Sequence, residues 1–249
     1  MNPTEQPYLS VIIPAYNAAH LLPATLVAID KYLSGAGFSY EIIVNNDGSK
    51  DNTAEVVRNM TSSVRNLRLI DNEANKGKGG VVRQGMLAAK GSIRLFMDDD
   101  NSTSIDQFEK MRPYFEQGYD VVIASRAIKG SIMRPAQPWF RRIPGRLSNL
   151  VIQLVNLPGI WDTQCGFKAF SAASAQRIFE LSRISAWGFD IEVLSLARMF
   201  GYKIKEVPAV WINQTESRVK ASAYLTTFIE NLQIRWWIIT GAYGKTSNQ

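Results

Sequence analysis

Three aspartates in a row, Asp98-Asp99-Asp100, close the apolar run Ile93-Arg94-Leu95-Phe96-Met97. Side by side these carboxylates repel one another, which a neutral loop would avoid. A hard divalent cation relieves the repulsion, and Mg2+ or Mn2+ takes one or two protein carboxylates together with phosphate oxygens. A spacing of two puts Asp98 and Asp100 on a common side of an extended segment, so they are the expected metal ligands, with Asp99 between them counted among the donor contacts. The structural alternative is an Asx-rich turn in which Asp100 or Asn101 bonds to the start of the next helix. Arg126 has the planar fork to hold a diphosphate bidentately, or is a surface arginine. The stretch Asn75-Lys-Gly-Lys-Gly-Gly80 lacks the G-x-x-x-x-G-K-[ST] order, and Val82 stands where G-x-G-x-x-G needs its third glycine. Walker-type and dinucleotide-binding loops are thereby excluded. Lys78 and Gly79 are left at a helix N-terminus that faces anions, or at a plain turn.

Short apolar runs and helix-like segments alternate around these residues. Strands are expected at Leu9–Ile13, Glu41–Val44, Leu67–Ile70, Ile93–Met97 and Asp120–Ala124, with the turn-forming Asn45–Ser49 after the second. Helices are expected over residues 20–33, from a cap at Asp51 or Asn52 to about Met60, over Gly79–Ala89 with Gly91 at its C′ position, and near 105–116. This alternation predicts an α/β fold, a mostly parallel sheet with helices on both faces. Ligands of such sheets sit outside the carboxyl ends of the strands. Pro14-Ala15-Tyr16-Asn17, Asn46-Asp47-Gly48-Ser49 and Asp98-Asp99-Asp100 follow three strands, so they should converge on one site. Beyond Arg126 the rhythm breaks. Residues 127–146 read as a long loop, with Pro135, Pro138 and Pro144 among Arg134, Arg141, Arg142 and Arg146. Helices near 146–156, 173–182 and 189–200, a segment at Thr163–Phe170, a strand over Tyr202–Trp211 and a helical tail over Ala221–Tyr243 complete the chain.

Composition narrows the chemistry. The 249 residues carry 28 Lys and Arg against 22 Asp and Glu, a net charge of +6 that suits an anionic partner. One cysteine, Cys165, cannot form an internal disulfide, which fits a reducing, cytoplasmic setting. A single histidine, His20, excludes multi-histidine zinc sites and argues against Ser-His-Asp hydrolysis. No signal peptide and no apolar span of about 18 residues is expected. The basic residues cluster with prolines and tryptophans instead of along a helix, so nucleic acid is not an expected partner. Arginines 134–146 and the tail with Arg235, Trp236, Trp237, Tyr243 and Lys245 suggest peripheral contact with an anionic membrane face.

Taken together, Ser10-Val-Ile-Ile-Pro-Ala-Tyr-Asn17, Glu41-Ile-Ile-Val-Asn-Asn-Asp-Gly-Ser-Lys-Asp51, Asn75-Lys-Gly-Lys-Gly79 with Val82-Arg-Gln-Gly85, and Phe96-Met-Asp-Asp-Asp100 resemble the family-2 glycosyltransferases. Asp162-Thr-Gln-Cys-Gly-Phe-Lys-Ala-Phe170 and Trp187-Gly-Phe-Asp-Ile-Glu-Val-Leu194 are similar to the dolichyl-phosphate glucosyltransferase branch, beside the mannose synthases. The resemblance, over about residues 8–244, implies a single GT-A domain. It comprises a Rossmann-like nucleotide-sugar half (8–126), an acceptor half (127–220) and an amphipathic C-terminal helix (221–249). It further implies nucleotide contacts at Pro14, Ala15, Tyr16 and Asp47, with Asn46 in place of the first aspartate of the usual pair. Asp98 and Asp100 match the D-x-D pair, Arg126 a basic residue near the diphosphate, and Arg218 a position where a lysine is common. Ala18 stands where family members commonly carry Glu. The roles of Asp162 and Glu192 are open.

The implied reaction is an inverting transfer of a hexose, with glucose from UDP-glucose the expected pair, to a polyprenyl or dolichyl phosphate. Mg2+ or Mn2+ would neutralise the departing diphosphate, with Arg126 sharing the task. An anionic phosphate acceptor needs no strong base. A glycan hydroxyl would need one, such as Asp162. The alternatives are a GDP-mannose-dependent transferase, a transferase acting on a glycan hydroxyl, and a catalytically silent nucleotide-sugar-binding module. Cys165 reads as packing, and Lys168 as reaching a phosphate or snorkelling.

Overall fold

Every residue of β1 (Leu9–Ala15) is buried, because a parallel strand covered on both faces reads as a continuous apolar run. A computed structural model describes residues 6–135, 139–212 and 221–244. β2 (Tyr40–Asp47) and β3 (Leu67–Asn72) lie parallel on one side of β1, and β4 (Ile93–Met97) lies parallel on the other. α1 (Leu22–Leu33), α2 (Thr53–Met60) and α3 (Lys78–Ala88) make the crossovers. A 3-10 turn (Ile105–Lys110) and α4 (Arg112–Glu116) lead to β5 (Val121–Ser125). The rest of the chain supplies β6 (Ile132–Arg134), α5 (Trp139–Val155), β7 (Phe167–Ser171), α6 (Ala172–Leu181), α7 (Phe189–Met199), β8 (Ile204–Pro208), β9 (Val210–Ile212) and α8 (Ala221–Ile239). Seven strands form one sheet in the order β3-β2-β1-β4-β7-β5-β8, and β6 pairs with β9 apart from it. Only β7 in the large sheet runs antiparallel to its neighbours.

Side chains alternate between two cores. Val11 and Ile13 face Leu22, Leu26 and Ile29 of α1, Val57 of α2 and Phe108. Ile12 faces Val82 and Met86 of α3, Phe179 of α6 and Leu194 of α7. Helices therefore cover both faces, as the alternation of elements predicts.

Several boundaries differ from the expectation. β2 continues through Asn45–Asp47 because the amides of these turn-forming residues find partners in α3 and in β3. Asn45 Nδ2 donates to the Val81 carbonyl at 2.6 Å, and Asn46 Nδ2 donates to Asp71 Oδ1 at 2.7 Å. Gly91 is required by close approach, not by a helix C-cap. α3 ends at Ala88, and the Gly91 N–H donates to Ser10 Oγ at 2.7 Å, where a Cβ would strike Ser10. The 105–116 helix divides into its 3-10 and α parts, with Pro113 early in the second. The loop expected at 127–146 contains β6 and the start of α5. Pro144 falls in the second turn, where its missing N–H removes one bond near an end that already lacks partners. The strand expected over 202–211 splits at Pro208-Ala209, β8 joining β5 and β9 crossing to β6.

Candidate active site

β1, β2, β4 and β5 run parallel, so their carboxyl ends share one rim. Asp47 ends β2, Tyr16 follows β1, Asp98–Asp100 follow β4 and Arg126 follows β5. The reversed strand β7 begins at the same rim, its Phe167 opposite Met97. The expected gathering of distant turns at one edge is what the topology produces.

Asp98 lies at the centre. Its N–H donates to the Gly166 carbonyl at 3.1 Å, and a Cβ on Gly166 would strike its carboxylate. Asp98 Oδ1 accepts from Lys78 Nζ at 2.6 Å. Burial alone would lower the Lys78 pKa, but Asp98, and Asp190 beyond it, hold it above the usual lysine value. The ammonium also lies 5.5 Å from the centre of the Trp187 ring. Asp100 accepts from the Ser102 N–H at 2.9 Å. Burial and the neighbouring Asp98 charge raise its pKa, the crowding expected of adjacent carboxylates. The Asp99 carbonyl accepts from Thr25 Oγ1 at 2.9 Å, which ties the triplet to α1. Among the described residues no group of three or more His, Cys, Asp or Glu side chains is arranged to hold a metal ion.

Arg126 and Asp162 form a second unit. Asp162 Oδ2 accepts from the Arg126 N–H at 2.9 Å and from Nε at 2.7 Å, while Oδ1 accepts from Nη2 at 2.9 Å. Burial would raise the Asp162 pKa, yet Arg126 overrides it and holds the carboxyl below the ordinary value. Such a carboxylate is a poor proton acceptor; its contacts suit the positioning of Arg126. The guanidinium lies 5.5 Å from the Trp211 ring centre.

Other expected residues turn to the scaffold. Asn46 is buried, and its amide holds Asp71 and Ser49. Asp47 Oδ1 accepts from the Lys76 N–H at 2.6 Å and so fixes the loop before α3. The start of α3 is not open to an anion: the Gly79 and Gly80 N–H groups donate to the Ser185 carbonyl at 2.8 and 3.3 Å. Gly79 is packed by Ile184 and Phe189. Pro14 and Ala15 are buried β1 residues at the rim, and Tyr16 beside them is exposed. Ala18 is buried, its N–H donating to Thr53 Oγ1 at 2.8 Å. Arg218, Lys245, residues 136–138 and the side chains of Arg141, Arg142 and Arg146 lie outside the described residues.

Lys168 neither reaches a phosphate nor snorkels. It is 0% exposed beneath the rim, bonded to Asp190 Oδ1 at 2.5 Å and to the Cys165 carbonyl at 2.6 Å. Sequence reasoning missed this pair; the available signal was a charge inside the apolar run Phe167-Lys-Ala-Phe170, which needs a buried partner. It also missed the role of Glu192, whose buried carboxylate accepts from the Arg183 and Ile184 N–H groups and from the Tyr243 hydroxyl. Cys165 is buried, and burial pushes its thiol up to about 11, which agrees with packing.

A model of glycosyl transferase family 2 matches residues 10–179. The chain belongs to that family. Its relatives in the family include a dolichyl-phosphate beta-glucosyltransferase of Dictyostelium discoideum, 36% identical over 222 residues that cover 84% of this chain and 68% of the relative. The human protein of the same name is 31% identical over 257 residues, covering 97% of this chain and 78% of its own. Among solved structures, glucosyl-3-phosphoglycerate synthase from Mycobacterium tuberculosis, in complex with Mn2+, UDP and glucosyl-3-phosphoglycerate, superposes with a TM-score of 0.67 at 18% identity, covering 92% of this chain and 80% of that one. The family 2 chain thus has the GT-A fold, and its motifs at Tyr16, Asp47 and Asp98–Asp100 occupy one rim of that fold.

Proposed function

We propose that this chain transfers a hexose, with glucose from UDP-glucose the expected pair, to a polyprenyl phosphate with inversion at the anomeric carbon. The observation that carries this is the joint one of the rim and the relatives: an acidic triplet and a braced arginine at strand ends on one rim, in a chain 36% identical to a dolichyl-phosphate beta-glucosyltransferase. Pro14, Ala15, Tyr16 and Asp47 would line the nucleotide, and Asp98 and Asp100 would hold Mg2+ or Mn2+.

The residues fit a hard cation in kind. Asp98 and Asp100 offer oxygen ligands alone, and the charge of one already disfavours ionisation of the other. A bound cation supplies charge neutralisation at the diphosphate. Arg126 presents a second fixed positive charge to the leaving group, oriented in advance by Asp162, so little reorganisation is left for the transition state. A polyprenyl phosphate is anionic at neutral pH and attacks without a base. That agrees with a site in which the buried carboxylate of Asp162 is fully engaged with Arg126.

A lipid-borne acceptor also calls for a bilayer contact, and we assign it to α5 and α8. Leu147, Leu150 and Leu154 on α5 and Leu225, Ile229, Leu232, Trp236 and Ile239 on α8 are exposed. The helices are joined by Asn156 Nδ2, which donates to the Asn231 carbonyl at 2.7 Å. No described helix is long and apolar enough to cross a membrane; the contact proposed for α5 and α8 is a peripheral one, at the cytoplasmic face. The reaction is tested by incubating the protein with dolichyl phosphate, Mn2+ and radiolabelled UDP-glucose or GDP-mannose. Label should enter the lipid phase from UDP-glucose alone, and Asp100→Ala should lower that transfer at least a thousandfold. Transfer from GDP-mannose alone, or near-native turnover by the variant, overturns the donor or the metal assignment respectively.

A further inference from the structure

Lys78 stands in an unexpected place. It is the first residue of α3, where the helix dipole disfavours a cation. The neighbouring N–H groups of Gly79 and Gly80 are held by the Ser185 carbonyl, which fixes the backbone on which Lys78 sits. Its side chain reaches 20 residues along the sequence to Asp98 Oδ1, at 2.6 Å. On the other side is the Trp187 ring, whose neighbour Gly188 donates its N–H to Glu230 Oε2 of α8 at 2.7 Å. The pair is only partly shielded, with side-chain exposures of 23% and 31% for Lys78 and Asp98. A lysine tail is flexible and its ammonium is a point charge, so it can exchange partners where a braced guanidinium such as Arg126 cannot.

We propose that Lys78 is a place-holder: in the donor-free protein it neutralises Asp98, and when a nucleoside diphosphate enters it leaves that carboxylate to the cation and moves to the donor's phosphate oxygens. The inference rests on the metal site proposed at Asp98 and Asp100. It explains how three adjacent aspartates persist at the rim of the free protein, since one of them is always paired. It makes Lys78 an opponent of the metal and an ally of the diphosphate. A residue needed only for folding would not affect the two ligands in opposite directions.

The test uses the whole chain without donor. Mn2+ binding is followed by the loss of the free-ion electron paramagnetic resonance signal, and UDP binding by calorimetry in the absence of metal. Lys78→Met should tighten Mn2+ about tenfold, a change of about 1.4 kcal/mol, and should weaken UDP by a similar factor. Lys78→Arg, which keeps the charge, should hold Mn2+ as the native chain does. Mn2+ affinity unchanged or reduced in Lys78→Met, while Asp100→Asn abolishes it, overturns the place-holder and leaves the metal site standing. Changes of the same sign for Mn2+ and UDP also overturn it. Failure of both the native chain and Lys78→Met to bind Mn2+ removes the metal site and the place-holder together.

Discussion

Three hydrogen bonds join Asp162 to Arg126, two from the guanidinium and one from the backbone. Replacing one partner of so shielded a pair leaves the other charge stranded. Asp162→Asn should therefore cost about 2–3 kcal/mol at pH 7, less than the roughly 3–5 kcal/mol for breaking a fully buried pair because the Arg126 side chain keeps some contact with water. The sign of the pH dependence follows from the direction of the shift. The Asp162 pKa is lower in the folded chain than its ordinary 3.8, so the pair contributes stability above pH 3.8 that is lost as pH falls through the folded value. Urea denaturation at pH 7 and at pH 3 should show the gap between native and variant chains narrowing in acid. A gap that stays constant would mean that the pair is not what Asp162 contributes. Asp162 and Arg126 each stand out in the sequence as candidates; their pairing does not. Partners 36 residues apart, joined across a strand end, leave no periodic trace. The same holds for Lys168 and Asp190, where only the oddity of a lysine among phenylalanines was visible.

At the scale of elements, β7 decides the shape of the site. Its reversed insertion between β4 and β5 brings the chain back to the rim at Gly166, against the Asp98 carboxylate. Gly166→Ala should push that carboxylate aside while leaving the apolar faces of the sheet intact. A displacement of about 1 Å at a reacting centre costs on the order of a hundredfold in rate. The expected result is a fall of that size in kcat/KM for transfer to dolichyl phosphate, with a melting temperature close to the native one. Native kcat/KM would show that Asp98 tolerates the shift and is not held to a strict geometry. The direction of β7 could not be read in advance, because buried parallel and antiparallel strands present the same apolar run. The first four strands are legible in kind, three of them because their apolar runs stop at residues that are poor strand formers. The expected strands are too short at Pro14–Ala15, Asn45–Asp47 and Asp71–Asn72, and at Asn45 and Asn46 amide bonds to α3 and β3 supply what a turn would otherwise provide. The start of α5 is not legible in the sequence, because Pro138 and Pro144 read as boundaries.

Across the whole molecule, basic residues and exposed apolar residues share one stretch of the sequence. Residues 121–161 contain no acidic residue, and they include Arg126, Lys129, Arg134, Arg141, Arg142 and Arg146. The exposed leucines of α5 lie within that stretch, and α8, packed against α5, carries the longer row from Leu225 to Ile239. The acid on α8, Glu230, is turned to the Gly188 N–H. Exposed apolar rows mark surfaces that bind something, and the excess of basic residues along 121–161 of the sequence favours an anionic partner. An interfacial helix gains from buried apolar area and from about 1 kcal/mol per cation near the surface. Vesicles of phosphatidylcholine with phosphatidylserine should therefore carry the protein upward in a sucrose gradient at low salt, and raised salt should weaken but not abolish the association. Leu154 and Ile229 are 77% and 56% exposed, so the double variant Leu154→Glu, Ile229→Glu should keep the native melting temperature and lose flotation. It should also lose transfer to dolichyl phosphate in vesicles, while transfer to a short, water-soluble polyprenyl phosphate persists. If the double variant floats as the native chain does, α5 and α8 do not meet the bilayer and their apolar rows face another partner.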